Sequence, residues 1–187
     1  MIDMEKAFKF RIYPNKTQQV LLQKTFGCTR YIYNHFLAKR IELYKQDKSS
    51  MSYNQCSKEL TVLKQELTWL KEPDKDALQK SLKDLDVAYK NFFARPEVGF
   101  PKFKSKHGRH KSYRTSYTNG NIKFLGKKIQ LPKLGKVKIK DKRTQLEGRI
   151  LNATVSQEPN GEYYVSICCT DVPMVALEPV NHNAGID

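Results

Sequence analysis

The stretch at residues 6–13, KAFKFRIY, constrains the fold more than any other, because it is a strand that stands apart from all the others. Its apolar residues Phe8, Phe10 and Ile12 alternate with charged ones, which predicts one buried face and one exposed face. The next strand-like runs begin only after residue 95. Since a single strand needs a sheet to join, we expect the helical region between them to be an insertion.

The helical region runs from about residue 15 to residue 93, where apolar residues recur every three or four positions in three runs. Polar loops separate these runs, so the pattern predicts a bundle of three amphipathic helices. Gly27 interrupts the first run, and we expect a break or kink there. The second helix is expected at about residues 54–70, and the third opens at Pro73-Asp74.

After Arg95 and Pro96 the pattern changes to short alternating runs separated by glycine, proline and asparagine. Pro159-Asn160-Gly161 predicts a hairpin between the last two runs. Strands of this length and spacing are typical of a small barrel or sandwich. The sequence therefore predicts an α+β fold, in which a small antiparallel OB-like β-barrel is interrupted by an inserted helical bundle. The seven runs lie at residues 98–104, 112–118, 121–125, 127–132, 135–140, 149–157 and 162–169.

The charge of the chain is concentrated in one segment. Residues 99–143 contain 15 lysines and arginines against the single acid Asp141, which accounts for +14 of the net charge of +15. A basic surface can serve solubility alone, but this imbalance favours contact with nucleic acid, without distinguishing DNA from RNA. The expected backbone contacts are Lys102, Lys104, Lys106, Arg109, Lys111, Arg114, Lys123, Lys127, Lys128, Lys136 and Lys138.

A second polar pattern lies on the third predicted helix, where Lys75, Gln79 and Lys83 are spaced four residues apart. Glutamine can pair with adenine and lysine can donate to guanine, so this stripe can read base edges. The alternative is an ordinary solvent-facing stripe. Tyr53 and Thr118 are ambiguous when they are considered alone.

Several other functions find no support in the residues. The four histidines and four cysteines show no metal-ligand spacing, and no nucleophile has an evident base. Neither a membrane segment nor a site for a small-molecule substrate or a cofactor is indicated. We expect a protein with reduced thiols that is cytoplasmic and binds nucleic acid. Asp187 alone is most simply a solvated carboxylate, since metal-assisted cleavage needs several carboxylates.

The order of motifs carries a resemblance along nearly the whole chain. The stretches KAFKFRIYPNKTQQVLLQKTFGCTRYIYNHFLAKR, LTVLKQELTWL, DKDALQKSLKDLDVAYKNFF, GFPKFKSK, SYRTSYTNGNIKF, LPKLGKVKIK and AGID follow one another in that order. In this respect the sequence resembles the N-terminal half of the TnpB (OrfB) family of insertion-sequence proteins, which are RNA-guided DNA endonucleases. The resemblance implies a wedge barrel from residues 1–14 and 96–172, an inserted recognition domain at 15–95, and a linker with the first strand of a RuvC nuclease domain at 173–187.

The resemblance also implies partners and roles. These two domains would hold the guide RNA from the same element and read a short motif in the double-stranded target DNA, in the nucleoid of a bacterium or archaeon. Asp76, beside Lys75, either reads a cytosine or points away. The residues implied for contact with the duplex motif are Tyr53, Ser57, Lys75, Gln79 and Thr118.

The ending AGID resembles the first strand of the RuvC domain, in which the aspartate, here Asp187, is a catalytic residue and a ligand of Mg2+ in the longer family members. The chain as given carries no further nuclease carboxylates, so we expect it to bind and, alone, not to cut. A catalytic half from a longer chain or another subunit would restore an enzyme. A nuclease-free RNA-guided regulator is a further alternative, as is a guide-independent helix-turn-helix protein that uses a break at Gly27.

Overall fold

The computed structural model describes residues 4–108, 110–141 and 145–173, and it contains both helices and a sheet. Three helices lie between the first strand and the other six in chain order. The elements are β1 (Met4–Tyr13), α1 (Lys16–Asp47), α2 (Tyr53–Glu66), α3 (Lys75–Ala94), β2 (Lys111–Ser116), β3 (Lys123–Phe124), β4 (Lys128–Leu131), β5 (Gly135–Ile139), β6 (Arg149–Gln157) and β7 (Tyr163–Val172), with short 3-10 turns at Thr68–Lys71 and Pro96–Val98.

The strands form one antiparallel sheet in the order β2-β6-β7-β1-β5-β4-β3. The first strand thus lies inside the sheet, between β7 and β5, and the expectation that it joins strands from beyond the helices is confirmed. The α+β class is also confirmed. Closure into a barrel is not, because among the described strands β2 and β3 remain as two unpaired edges.

Alternation along each strand gives the sheet one apolar face. Phe10 of β1 lies opposite Val165 of β7, which pairs with Val155 of β6, and this residue pairs with Tyr113 of β2. All four side chains are buried. Because side chains alternate between faces, their neighbours along each strand point to the other side. The expected hairpin is present between β6 and β7, with Gly161 at a φ of 85°.

Helix α1 begins with a capping box, in which the Asn15 side chain accepts from the Gln18 N–H and the Gln18 side chain accepts from the Asn15 N–H. It continues for 32 residues without interruption, so the break expected at Gly27 is wrong. A glycine costs a helix interior about 1 kcal/mol relative to alanine. The neighbouring residues Phe26 and Cys28 are buried, and their packing offsets this cost.

Helices α1 and α3 each contribute side chains to two separate buried clusters. Leu22 and Phe26 pack with the sheet, whereas Ile32 and Phe36, further along the same helix, pack with α2 and α3. In α3, Ala77 belongs to the sheet cluster and the leucines that follow belong to the helical one. The division into a wedge and a recognition domain stays a prediction.

The run at residues 98–104 is not a strand, which corrects one of the seven expected. Gly99 has a φ of 79°, and Pro101 has no N–H to donate to a ladder. Instead, Asn34 of α1 holds the segment: its Oδ1 accepts from the Lys104 N–H at 2.8 Å and its Nδ2 donates to the Lys104 carbonyl at 3.0 Å. A side chain has replaced a neighbouring strand as the hydrogen-bonding partner.

We expect Gly148, just before β6, to tolerate no side chain. Its φ is 78°, and an added Cβ would lie 2.2 Å from the Thr170 carbonyl oxygen and 2.8 Å from Cγ2 of Val172. Gly148→Ala should lower the free energy of unfolding by about 3 kcal/mol or more, as the left-handed backbone costs about 1–2 kcal/mol and the overlap costs about 1–3 kcal/mol. Urea unfolding measures this loss.

The matched control is Gly126→Ala, where φ is 64° and no heavy atom lies within 4 Å of the added Cβ. This variant should lose only the backbone cost of about 1–2 kcal/mol. Equal losses in the two variants would contradict the steric argument.

Candidate nucleic-acid interface

The start of α3 is fastened to the end of β2 by two carboxylates. Asp74 is the N-cap, accepting from the Asp76 N–H at 3.2 Å, and its other oxygen accepts from the Thr115 hydroxyl at 2.5 Å. Asp76 accepts from the backbone N–H of Ser116 at 2.5 Å. The Asp76 carboxylate is therefore bonded within the protein. Together these contacts fix the helix that carries Lys75 and Gln79 relative to the sheet.

The side chain of Gln79 joins α3 to α2. Its Oε1 accepts from the Tyr53 hydroxyl and from the Ser57 hydroxyl, each at 3.1 Å. The ammonium of Lys83 lies 5.0 Å from the centroid of the Tyr53 ring. Three residues of the expected duplex site are thus in direct contact, and among the described residues the Gln79 NH2 group donates no hydrogen bond.

A groove between α2 and α3 includes two of the three residues of the stripe on α3. Lys75 and Gln79 line it, and Lys64 and Lys71 bring further positive charge. Thr118 is exposed and its N–H donates to the Asn121 side chain at 2.7 Å. In the part of the chain that the structure describes, no hydrogen bond joins Thr118 to the other four expected residues.

The outer side of the sheet carries what we call the lysine face: Lys123, Lys128, Lys136 and Lys138 of β3, β4 and β5. Lys128 lies directly opposite Lys138, and Gln130 separates Lys123 from Lys136 in register. Like charges directly opposite each other repel. Within the described ranges no carboxylate lies within 4.0 Å of these lysines or of the adjoining Lys127, so no described acid neutralises their charge.

Other cations of the basic segment line a cleft of about 360 Å³ between α1, α3 and β2. Arg114 pairs with Asp84 at 2.7 Å. The ammonium of Lys104 lies 4.2 Å from the centroid of the Tyr33 ring. Although the residue as a whole is exposed, desolvation of this ammonium lowers the pKa of Lys104, while the Asp84 carboxylate acts in the opposite direction. Lys111 also lines this cleft, Lys102 and Lys106 are exposed, and Arg109 lies outside the described residues.

The groups that a nuclease metal site needs are not assembled in the described part of the chain. There, no cluster of three or more histidine, cysteine, aspartate or glutamate side chains could hold a metal ion, and Asp187 lies outside it. Burial raises the pKa of the Cys28 thiol to about 11, and Glu72 adds to this effect, so the thiol is protonated at neutral pH. Mg2+ takes oxygen ligands, and the described residues do not bring the carboxylates for such a site together. Across the same residues, no helix has the length and apolar content needed to cross a bilayer.

Sequence reasoning missed the residues that link the elements. Asn34, Arg30 and Lys80 contribute to the cleft or to the segment beside it, yet each occupies an ordinary polar position on a helix. Asp74 was recognisable as a helix start, but its bond to Thr115 joins residues 41 positions apart. No local pattern indicates such a pairing.

We expect Asp74→Ala to destabilise the protein through two losses. Removing an N-cap costs about 1 kcal/mol, and leaving the buried Thr115 hydroxyl without its partner costs about 1–3 kcal/mol. The control is Asp84→Ala, which breaks an exposed ion pair worth at most about 1 kcal/mol. Urea unfolding of both variants checks this difference, and an equal loss would contradict it.

Comparison with known proteins gives a consistent picture. The family model for the OrfB helix-turn-helix domain of IS605-type elements, described as "Helix-turn-helix domain", matches residues 1–49. In the structure these residues include β1 and the single continuous helix α1.

Relatives extend the match beyond this domain. The chain is 34% identical over 185 residues to a protein of Escherichia coli K12 named RNA-guided DNA endonuclease InsQ, which covers 97% of this chain and 44% of the relative. A Streptomyces pristinaespiralis protein with the name RNA-guided DNA endonuclease is 33% identical, with 91% and 43% covered. The virulence protein VsdF of Salmonella dublin is 33% identical over 116 residues, with 57% and 98% covered.

The chain thus spans less than half the length of the two relatives named as endonucleases. The domain match and the alignments nonetheless agree with the order of motifs along the sequence. On these grounds the protein belongs to the OrfB (TnpB) family of insertion-sequence proteins.

Proposed function

We propose that this chain is the nucleic-acid-binding part of a TnpB-like RNA-guided DNA endonuclease, which holds the guide RNA scaffold and reads a short duplex motif beside the target. We assign the wedge to residues 1–14 and 96–172, and the recognition domain to residues 15–95. Two relatives are named as RNA-guided DNA endonucleases, and we infer a guide RNA for this chain from those names. The observation that carries the proposal is the lysine face, because its charges repel one another without an anionic ligand.

The lysine face suits an RNA backbone better than a specific base. Its side chains are exposed on adjacent antiparallel strands, so their ammonium groups can follow successive phosphates. Lysine acts as a point charge and places little demand on the geometry of its partner. Binding at this face is therefore governed by counterion release and depends on salt.

The groove between α2 and α3 suits the duplex motif. The Gln79 carbonyl already accepts two hydroxyl groups, so its NH2 is the group left to donate. A donor matches acceptors in the major groove, such as guanine O6 and N7, adenine N7 or thymine O4. Lys75, one helical turn earlier, adds a second donor, and we propose Tyr53, Ser57 and Thr118 as further contacts.

The guide-independent helix-turn-helix alternative rests on the domain match at residues 1–49. Within this range the described residues form a strand and one helix that continues through Gly27. The second helix that would enter the major groove in such a motif has no counterpart there. The RNA-guided proposal is the stronger of the two.

The lysine face predicts a specific change in salt dependence. Lys128→Ala combined with Lys138→Ala should weaken binding of the guide RNA. The slope of log K against log salt should become shallower by about 1.5, because each lost phosphate contact removes about 0.7–0.9 from this slope. Fluorescence anisotropy across a salt series measures the slope. Lys45→Ala with Lys48→Ala removes the same charge at the end of α1, and a similar flattening there would contradict a localised site.

The groove predicts a loss of sequence preference. Gln79→Glu keeps an oxygen that accepts from the Tyr53 and Ser57 hydroxyls but replaces the donor with a negative charge. Preference for the flanking motif should fall by about 5- to 150-fold, the value of one good base contact. Selection from duplexes with randomised flanking base pairs, in the presence of guide RNA, measures this preference.

Gln65→Glu is the matched control, since Gln65 lines the same groove from α2 and receives the same charge. It should weaken binding of all duplexes slightly and leave the preferred sequence unchanged. An unaltered preference in Gln79→Glu would remove this residue from the readout.

A further inference from the structure

An exposed group of aromatic side chains lies at the end of α3 and in the segment after it. Phe93 is 75% exposed, Phe103 is 57% exposed and Phe100 is 45% exposed. We call these three residues the aromatic platform. Exposing large apolar side chains to water is unfavourable, and a ligand that covers them gains the free energy of burying this surface.

Neighbouring rings hold the platform in place. The Phe100 ring lies edge to face against Tyr89, with centroids 5.5 Å apart, and against Phe92, at 5.4 Å. Phe93 lies 5.3 Å from Phe92, and the Arg40 guanidinium is 5.0 Å from the Tyr89 centroid. The rings of Phe93 and Phe100 are therefore ordered before any ligand arrives, which lowers the entropic cost of binding.

The backbone of the platform is fixed as well. Both polar backbone groups of Lys104, the residue after Phe103, are bonded to Asn34 of α1. Pro101, between Phe100 and Phe103, is buried and restricts the backbone further. The segment presents its aromatic side chains from a defined position.

The charge around the platform indicates the class of ligand. Residues 93–106 contain Arg95, Lys102, Lys104 and Lys106 against the single acid Glu97. In the described ranges no carboxylate lies within 4.0 Å of Arg95 or Lys102. Protein interfaces are depleted of lysine at their centres, whereas surfaces for single-stranded nucleic acid combine stacking rings with cations.

We propose that the aromatic platform stacks unpaired bases of a single-stranded nucleic acid, and that Arg95 and Lys102 contact the adjoining phosphates. The proposal rests on the function proposed above and adds a separate site to it. Stacking needs no hydrogen-bond readout, so the site accepts bases of any sequence. It complements the lysine face and the groove, which we assign to folded RNA and to the duplex.

A fluorescence experiment tests the stacking directly. The chain has one tryptophan, Trp69, so Trp69→Phe combined with Phe93→Trp places the only indole on the platform. Short oligouridylate and oligothymidylate are the probes, and they distinguish RNA from DNA. Quenching of the indole by either probe is expected, because a stacked base quenches it; no quenching would overturn the proposal.

A binding experiment tests the contribution of the rings. Phe93→Leu with Phe100→Leu keeps apolar side chains but removes the aromatic faces, and affinity for the single-stranded probes should fall at least about fivefold for each base that loses its stack. Tyr44→Leu is the control, since Tyr44 is also an aromatic residue beside a lysine and is 58% exposed. It should leave the affinity unchanged.

The outcomes separate this site from the proposed function. Unchanged oligonucleotide affinity in the double leucine variant, while the Lys128 and Lys138 variant still loses guide RNA, would overturn the platform alone. Retained binding of guide RNA by the leucine variant shows that it is folded. If the wild type binds no nucleic acid, both proposals fail. If the fluorescence of the indole introduced by Phe93→Trp changes with protein concentration alone, a second copy covers the platform and the stacking proposal is overturned.

Discussion

The pairing of β1 on both of its edges is the constraint on which the rest of the structure depends. β7 pairs with one edge of β1 and β5 with the other. Both follow the three helices in the chain, so β1 has no strand to pair with until the chain has passed through the helices. The start of α1 is held at this point, because the Gln18 amide donates to the carbonyls of Leu134 and Lys136 at 3.1 Å each. Helix α1 is consequently anchored to the sheet at its first turn. The fastening of α3 to β2 by Asp74 and Asp76 completes the attachment.

Local patterns predicted most of the regular structure but not the contacts between elements. The alternation of Phe8, Phe10 and Ile12 indicated β1 correctly, and Asp74 marked the start of α3. The run at residues 98–104 is also expected to be a strand, yet the Asn34 side chain bonds both polar backbone groups of Lys104. A hydrogen bond from a side chain 70 residues away leaves no trace in a local pattern. The family resemblance grouped Tyr53, Ser57 and Gln79 in one site, but the hydrogen bonds that join them are known only from the structure.

The positive charge is arranged in two different ways across the molecule. On β1, Lys9 and Arg11 pair with Glu158 and Glu162, so part of the sheet is electrostatically balanced. On β4 and β5 the lysines face one another without acids in the described residues. The first arrangement supports the fold by itself. The second leaves a repulsion between lysines, and an anion that bound only the folded state would relieve it and stabilise the protein by mass action.

Helix α1 has a consequence for how the protein unfolds. Its first turns pack in the sheet cluster and its later turns in the helical cluster, with no interruption at Gly27 between them. Melting either cluster frees one end of a helix whose other end is still packed, and a shortened helix is less stable because helix formation is cooperative. The two clusters therefore share the cost of opening. Helix α1 is about 48 Å long, at about 1.5 Å per residue, so one continuous element connects the sheet cluster with the helical cluster.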